Sequence, residues 1–337
     1  MTDTLMPDTL RPMHLGEILD RTAQIYRRQF LLFAGIAAGP SVVVLGCFAV
    51  GFLLVYSTRN GNATTNILVG LGFLALLAVG LPLYIAACGF GFAALSQAAK
   101  KRFFGEAATI RGMYREAWPR GWHYLGLFGL DFLIIGVAPG IVLFFGILGY
   151  GIFLRAMGGA PRDSGAAVVL IVLALLALLM LYELWIMPRL SMSFAVCVAE
   201  KAGVADSLKR GWSLSQGTRW RILLLFVMGA VCGWMLTWLV TLPVVIAVSL
   251  IPGMNSPQHA QMMGSIMLFG TYGAGFAVQA LIRPVYGIAL VLFYYDQRIR
   301  KEGYDIEWMM ERAGLTASAA PASQPLPNPE ILPEAQT

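Results

Sequence analysis

Charged side chains are scarce in this sequence. Asp, Glu, Lys and Arg make up 12% of its 337 residues, about half the share found in soluble domains. With 58% hydrophobic residues beside that scarcity, a water-facing globular surface is excluded and a lipid bilayer is the fitting solvent. Histidine is rarer still: His14, His123 and His259 are too scattered to form a metal site. Cys47, Cys88, Cys197 and Cys232 lie in or at the edge of apolar runs with no C-x-x-C, which reads as small buried packing residues. There is no P-loop, H-E-x-x-H or nucleophile elbow. GLGFLA at 70–75 and GFGFAA at 89–94 imitate dinucleotide loops, but both lie inside unbroken apolar runs and read as packing glycines. GLD at 129–131 with YYD at 294–296 lacks the second glycine and the order of an intramembrane aspartyl protease. No enzymatic activity, cofactor or nucleic-acid partner is expected.

What the sequence does have is long apolar runs. A helix of ~20 apolar residues crosses ~30 Å of hydrocarbon, and six runs reach that length: Phe30–Tyr56, Ile67–Leu95, Tyr124–Leu154, Ala166–Met187, Ile222–Leu250 and Met263–Tyr295. Several are long enough to require tilt, kinks or interfacial ends. The first 29 residues lack a signal peptide's apolar core and cleavage site, so the first run is expected to act as an uncleaved anchor. Basic residues alternate between the connections. Arg11, Arg21, Arg27 and Arg28 precede the first span, and Arg59 alone follows it. Lys100, Lys101, Arg102, Arg111, Arg115 and Arg120 fill the second connection, and Arg155 and Arg162 the third. Lys201, Lys209, Arg210, Arg219 and Arg221 fill the fourth, none the fifth, and Arg298, Arg300, Lys301 and Arg312 follow the last span. The positive-inside rule then puts both termini in the cytoplasm.

The fold expected is all-α and polytopic. Residues 1–29 form a cytoplasmic segment with an interfacial helix, 30–295 a six-helix transmembrane domain, and 296–337 a cytoplasmic segment. The last of these is disordered from about 313, where Pro, Ala and Ser dominate without periodicity. The outer connections STRNGNATT, RAMGGAPRDSG and IPGMNSPQHAQ are too short to house a domain.

The cytoplasmic segments resemble one another: GEILDRTAQIYRR from Gly16, GEAATIRGMYREAW from Gly105, GVADSLKRGWSLSQ from Gly203, and a fourth beginning, GYDIEWMMER, from Gly303. In the first three an acid, then basic residues, then an aromatic (Tyr26, Tyr114, Trp212) follow the glycine before the next span. This predicts a two-span unit, opened by an amphipathic helix, used three times. Helical spacing gathers Leu15, Ile18, Leu19, Thr22 and Tyr26 on one face, then Ile110, Met113, Tyr114, Ala117 and Trp118, then Val204, Leu208, Trp212 and Ser215. Such helices lie in the interface with their basic residues among headgroups. The headgroup candidates are Arg21, Arg27, Arg28, Lys100, Lys101, Arg102, Lys209, Arg210 and Arg219, and anionic membrane lipids are the expected partners. Gly203 is expected to turn the chain out of the membrane.

Three phrases carry a family likeness: LRPMHLGEILDRTAQIYRRQF at 10–30, VAEKAGVADSLKRGWSLSQGTRWR at 198–221 and LFYYDQRIRKEGYDIEWM at 292–309. In these, over about residues 10–312, the chain resembles the membrane domain of membrane-anchored glycerophosphoryl diester phosphodiesterases, which many bacterial membrane proteins carry alone. The resemblance implies a six-span protein of the bacterial inner membrane. The phosphodiesterase barrel of the larger relatives would need ~250 residues and a His-Arg-Gly with an acidic metal cluster, neither of which this sequence contains.

Ionisable groups inside a bilayer are costly and mark function by default. Asp131, Glu183, Arg189 and Arg283 all fall toward the cytoplasmic half of their spans. One reading groups them round an inward-facing cavity for a lipid headgroup or small solute; the other makes them interhelical ion pairs, with Arg189 reaching to the interface. Small-xxx-small pairs at Gly35–Gly39, Gly136–Gly140 and Gly229–Gly233 predict close helix approach. Pro40, Pro82, Pro139 and Pro243 predict kinks whose freed carbonyls need partners. The function expected is non-catalytic lipid or protein interaction at the cytoplasmic leaflet, including a protein partner or a second copy; the alternative is a permease-like carrier of a small anionic or lipid-like solute.

Overall fold

The structure, a computed structural model, describes residues 11–57, 63–156, 164–250 and 260–312. The C-terminal segment from 313 and most of the three short outer connections lie outside them. Among the described residues there is no strand, and six helices are long and apolar enough to cross a membrane. In chain order the helices are α1 (Leu15–Arg28), α2 (Phe30–Ser57), α3 (Ala63–Phe103), α4 (Ile110–Ala117), α5 (Gly121–Phe132), α6 (Ala138–Ala156), α7 (Ser164–Leu190), α8 (Ser193–Glu200), α9 (Val204–Ser215), α10 (Arg219–Ser249), α11 (Ala260–Glu302) and α12 (Tyr304–Arg312). A 3₁₀ turn, Trp118–Arg120, leads into α5, and a π-helical segment, Leu133–Val137, joins α5 to α6 as one span.

The spans form a ring in sequence order. Each lies against its neighbours in the chain, α11 closes onto α2, and α11 also meets α3 across the ring. Glycine makes the tight approaches. A Cβ on Gly229 would stand 2.3 Å from the Tyr286 hydroxyl, and one on Gly233 3.0 Å from Ile282, so α10 and α11 meet at this pair. Gly35 and Gly39 accept Ile110 and Tyr114 of α4 in the same way. The third pair differs: Gly136 meets only Phe132 of its own span and Gly140 nothing within 4 Å. Gly89, in the GFGFAA run, lies against the Tyr124 backbone, which would be 2.8 Å from an added Cβ.

Three amphipathic helices sit where the sequence places them, each before an odd-numbered span. Each packs on the second span of the preceding unit: α4 on α3, α9 on α8 just beyond α7, and α1, far away in sequence, on α11. That last contact closes the threefold pattern. Part of each helix's apolar face is buried by protein. Ile18, Thr22 and Ile25 of α1 are buried, as are Met113 and Ala117 of α4. In α9 the buried face is Ser207, Gly211, Leu214 and Ser215, shifted from the line through Val204, Leu208 and Trp212. Small residues win this face because α9 lies close on α8: a Cβ on Gly211 would be 3.0 Å from the Ser193 nitrogen. Ile110 and Trp118 remain exposed.

The basic end of the bundle, where Lys and Arg gather, holds most of the packed core. Ile18, Phe33, Phe103, Met113, Met192 and Tyr295 belong to one buried cluster there. Each large apolar side chain withdrawn from water contributes about 1.5–3 kcal/mol. α11 is the axis. Half of its most apolar stretch is buried, against 6% for α7, and its 43 residues extend about 60 Å, well past a bilayer's hydrocarbon. No break marks residue 295: the helix runs on to Glu302, with Asp296 and Gln297 buried. The N-terminal segment is strapped to this stretch. The Met13 amide donates to Asp296 (2.7 Å), while Arg300 pairs with Asp296 (3.0 Å) and donates to the Met13 carbonyl (2.8 Å).

The turns differ in one place from the glycine pattern. Gly105 (φ 78°) and Gly303 (φ 66°) do take the left-handed conformation, but in the third segment Lys201 (φ 53°) takes it, and Gly203 is the extended N-cap of α9. The chain is turned by Lys201, the C-cap of α8. Prolines 40, 82 and 243 lie inside continuous helices, and the carbonyl freed by Pro40 has a partner: the Tyr114 hydroxyl donates to the Ile36 oxygen at 2.8 Å. Of the cysteines, Cys88 and Cys197 are buried, Cys47 is half-buried and Cys232 is exposed.

Candidate intramembrane cavity

Five spans line a half-open cavity of about 510 Å³ in the half of the bundle nearer the basic end. α3, α5, α7, α10 and α11 all contribute, and the wall is largely apolar, with Phe92, Phe128, Met187, Phe194 and Phe226. Three of the four ionisable residues singled out from the sequence line it: Asp131 from α5, Glu183 from α7 and Arg283 from α11. Ser96, Gln279 and Tyr286 add neutral polar groups.

Local structure explains why these side chains converge. Asp131 stands two residues before the π-helical segment. Pro139 has no N–H for the Ile135 carbonyl, and the widened turn over Leu133–Val137 absorbs that loss. Tyr182 of α7 donates its hydroxyl to the neighbouring Ile134 carbonyl at 3.0 Å. The next residue, Glu183, is about 100° round α7 and faces the cavity. On α11, Gln279 and Arg283 are four apart and share a face. Pro284 interrupts the ladder beside Arg283, and the Tyr26 hydroxyl of α1 donates to the Leu281 carbonyl at 2.9 Å.

None of the three charged groups pairs with another. Among the described residues, neither Asp131, Glu183 nor Arg283 enters an ion pair. Oδ1 of Asp131 is buried without a hydrogen-bond partner. Arg283 reaches the Cys88 sulfur at 3.9 Å, a neutral neighbour on α3. The interhelical ion pairs open to these residues in the sequence are therefore not formed.

Arg189 leaves the group. It does not line the cavity; its guanidinium stacks 3.8 Å from the Trp185 ring centre and 5.4 Å from that of Trp212, and it donates to the Trp185 carbonyl. The indoles of Trp185 on α7 and Trp212 on α9 hold this cation by its face. Sequence reasoning passed over Gln279, although its spacing from Arg283 was a readable signal; Ser96 had none.

The basic residues proposed for headgroups are partly committed within the protein. Arg210 pairs with both Glu200 and Glu302, and the Glu200 hydrogen bond outweighs partial burial in holding its pKa above the ordinary value. Lys101 pairs with Glu116 at 2.6 Å, Arg102 donates to the Ala108 carbonyl, and Arg21 lies 5.4 Å from the Phe103 ring centre. Arg219 lies 5.8 Å from that of Trp212. Lys100 is half-buried, with Glu106 and Lys201 among the nearby charges. Arg27, Arg28 and Lys209 are exposed.

Six apolar span-length helices decide the broad class. The chain is a multi-pass membrane protein. No family model matches it, and neither does a curated protein or a solved structure.

Proposed function

We propose that this membrane protein is a non-catalytic binder of a lipid-like amphiphile, held in the cavity between α3, α5, α7, α10 and α11. The observation that carries this reading is the convergence of Asp131, Glu183 and Arg283, uncompensated by one another, in one largely apolar space. A volume of about 510 Å³ suits a ligand of small to moderate size, and an apolar wall with a few convergent polar groups is the usual make-up of such sites. The likeness to the membrane domain of glycerophosphoryl diester phosphodiesterases belongs with this proposal, as do a bacterial inner-membrane location and cytoplasmic termini. Basic residues gathered at one end of the bundle support that orientation.

Native mass spectrometry tests the binding reading. The protein released from detergent should carry a co-purified amphiphile, and Ala230→Trp, which fills the cavity wall, should lose it while melting at the same temperature. A wild-type protein without bound amphiphile, or a variant that keeps it, overturns the reading.

One observation favours the carrier alternative. A second cavity of about 500 Å³, lined by Val44, Phe48, Leu77, Tyr84 and Phe276, lies in the far half of the bundle. Cys88, one turn from Tyr84, contacts Arg283. Uptake of a labelled phospholipid or small anion by proteoliposomes, abolished by Arg283→Gln in a normally folded protein, would decide for transport.

A further inference from the structure

The charges in the cavity constrain its ligand more closely than its volume does. Two carboxylates and one guanidinium face one largely apolar space, and none is neutralised by another. Charges held in such surroundings without partners are costly. An apolar ligand would leave all three uncompensated. A purely anionic head would satisfy Arg283 but bring another anion toward the carboxyl groups of Asp131 and Glu183. A purely cationic head would satisfy the acids and leave Arg283 with only uncharged neighbours on α3, the Cys88 thiol and the Tyr84 hydroxyl. A head carrying both signs compensates every group.

We infer that the cavity selects a zwitterionic ammonium–phosphate head. In this assignment Arg283 takes the phosphate, whose paired oxygens match the guanidinium fork. Asp131, whose buried Oδ1 has no hydrogen-bond partner, takes the ammonium together with Glu183. Gln279, one turn from Arg283 on the same face of α11, supplies a neutral donor to the phosphate side. Phe92, Phe128, Phe194 and Phe226 line the wall left for an acyl chain. The inference rests on the binding reading above and names the chemical class of its ligand. Both an intact phospholipid and its water-soluble glycerophospho-ester present this head.

Thermal unfolding in detergent distinguishes these sources, with three probes: dihexanoyl phosphatidylethanolamine, dihexanoyl phosphatidylglycerol and glycerophosphoethanolamine. Phosphatidylethanolamine should raise the melting temperature in a saturable way, and phosphatidylglycerol should do so only at much higher concentration. Stabilisation by glycerophosphoethanolamine at similar concentration would keep the head chemistry and assign the soluble ester as ligand; no effect from it assigns the lipid. Arg283→Gln should weaken phosphatidylethanolamine at least about tenfold, the scale of one lost charge-assisted partner, and Asp131→Asn should do likewise. Arg111→Gln, on the exposed surface of α4, should leave it unchanged. Equal stabilisation by both lipids would overturn the zwitterion assignment while leaving amphiphile binding intact. A preference for phosphatidylglycerol, or loss of binding in Arg111→Gln alone, would overturn the assignment to this cavity.

Discussion

The two ends of this bundle are built on different physics. At the basic end α1, α4, α8 and α9 wrap the ends of α3 and α11, and large side chains such as Tyr294, Tyr295, Phe33 and Phe103 are fully buried. In the far half large apolar residues such as Leu53, Ile67, Leu74, Leu148 and Leu239 face outward. Water drives apolar side chains together at the first end. In hydrocarbon a leucine gains nothing by leaving lipid for protein, so helices there associate through close packing and polar contacts. The consequence is a clamp at one end holding spans that are free to enclose cavities between them. The clamp is also where charge is most fully paired: Arg210, Arg298, Glu200 and Glu302 form one network, and Lys301 donates to the carbonyls of Ser213, Leu214 and Gln216 at the end of α9.

Substitutions can break this contrast in order of size. Asp296→Ala should have the largest effect. It removes a fully buried carboxylate that holds the Met13 amide and Arg300, and breaking a buried pair of this kind costs about 3 kcal/mol. Thermal unfolding in detergent should show the loss, and limited proteolysis should show α1 released from α11; unchanged resistance of α1 would mean the strap does not hold it. Gly89→Ala comes next. The new methyl meets the Tyr124 backbone, and overpacking at such a contact costs about 1–3 kcal/mol. Gly70→Ala, in the far half of the same helix with nothing within 4 Å, should be neutral or should gain up to ~1 kcal/mol of helix propensity. Equal losses from the two would remove the contrast between the ends. Tyr114→Phe is the mildest of the expected losses. It returns the Ile36 carbonyl to its unsatisfied state beside Pro40, a loss of about 1 kcal/mol.

Much of this was legible in the sequence because it is periodic or compositional. The six spans, the amphipathic helices before every second one and the packing role of Gly35, Gly39, Gly229 and Gly233 all follow from spacing along single helices. What spacing cannot show is which helix faces which. The ring closure of α1 onto α11 joins segments more than 250 residues apart, and nothing in LGEILDRTAQIYRR names that partner. Asp296 reads as a juxtamembrane acid until Met13 and Arg300 surround it. Arg189 has the sequence features of a site residue, yet Trp185 and Trp212 hold it outside the cavity. The stretch from Glu200 to Trp212 shows the same limit: its helix was readable, but the left-handed turn passed from Gly203 to Lys201, and nothing in it names Glu302 as a partner of Arg210.

In the proposed assignment Asp131 and Glu183 share one cavity and one occupant. A hydrophobic carbodiimide, which modifies carboxyl groups within membranes, tests it on the delipidated protein with the sites of modification read by mass spectrometry. Both carboxyls should react, and dihexanoyl phosphatidylethanolamine should protect both together over a single concentration range. Protection of one without the other, or reaction of neither, would contradict a common site.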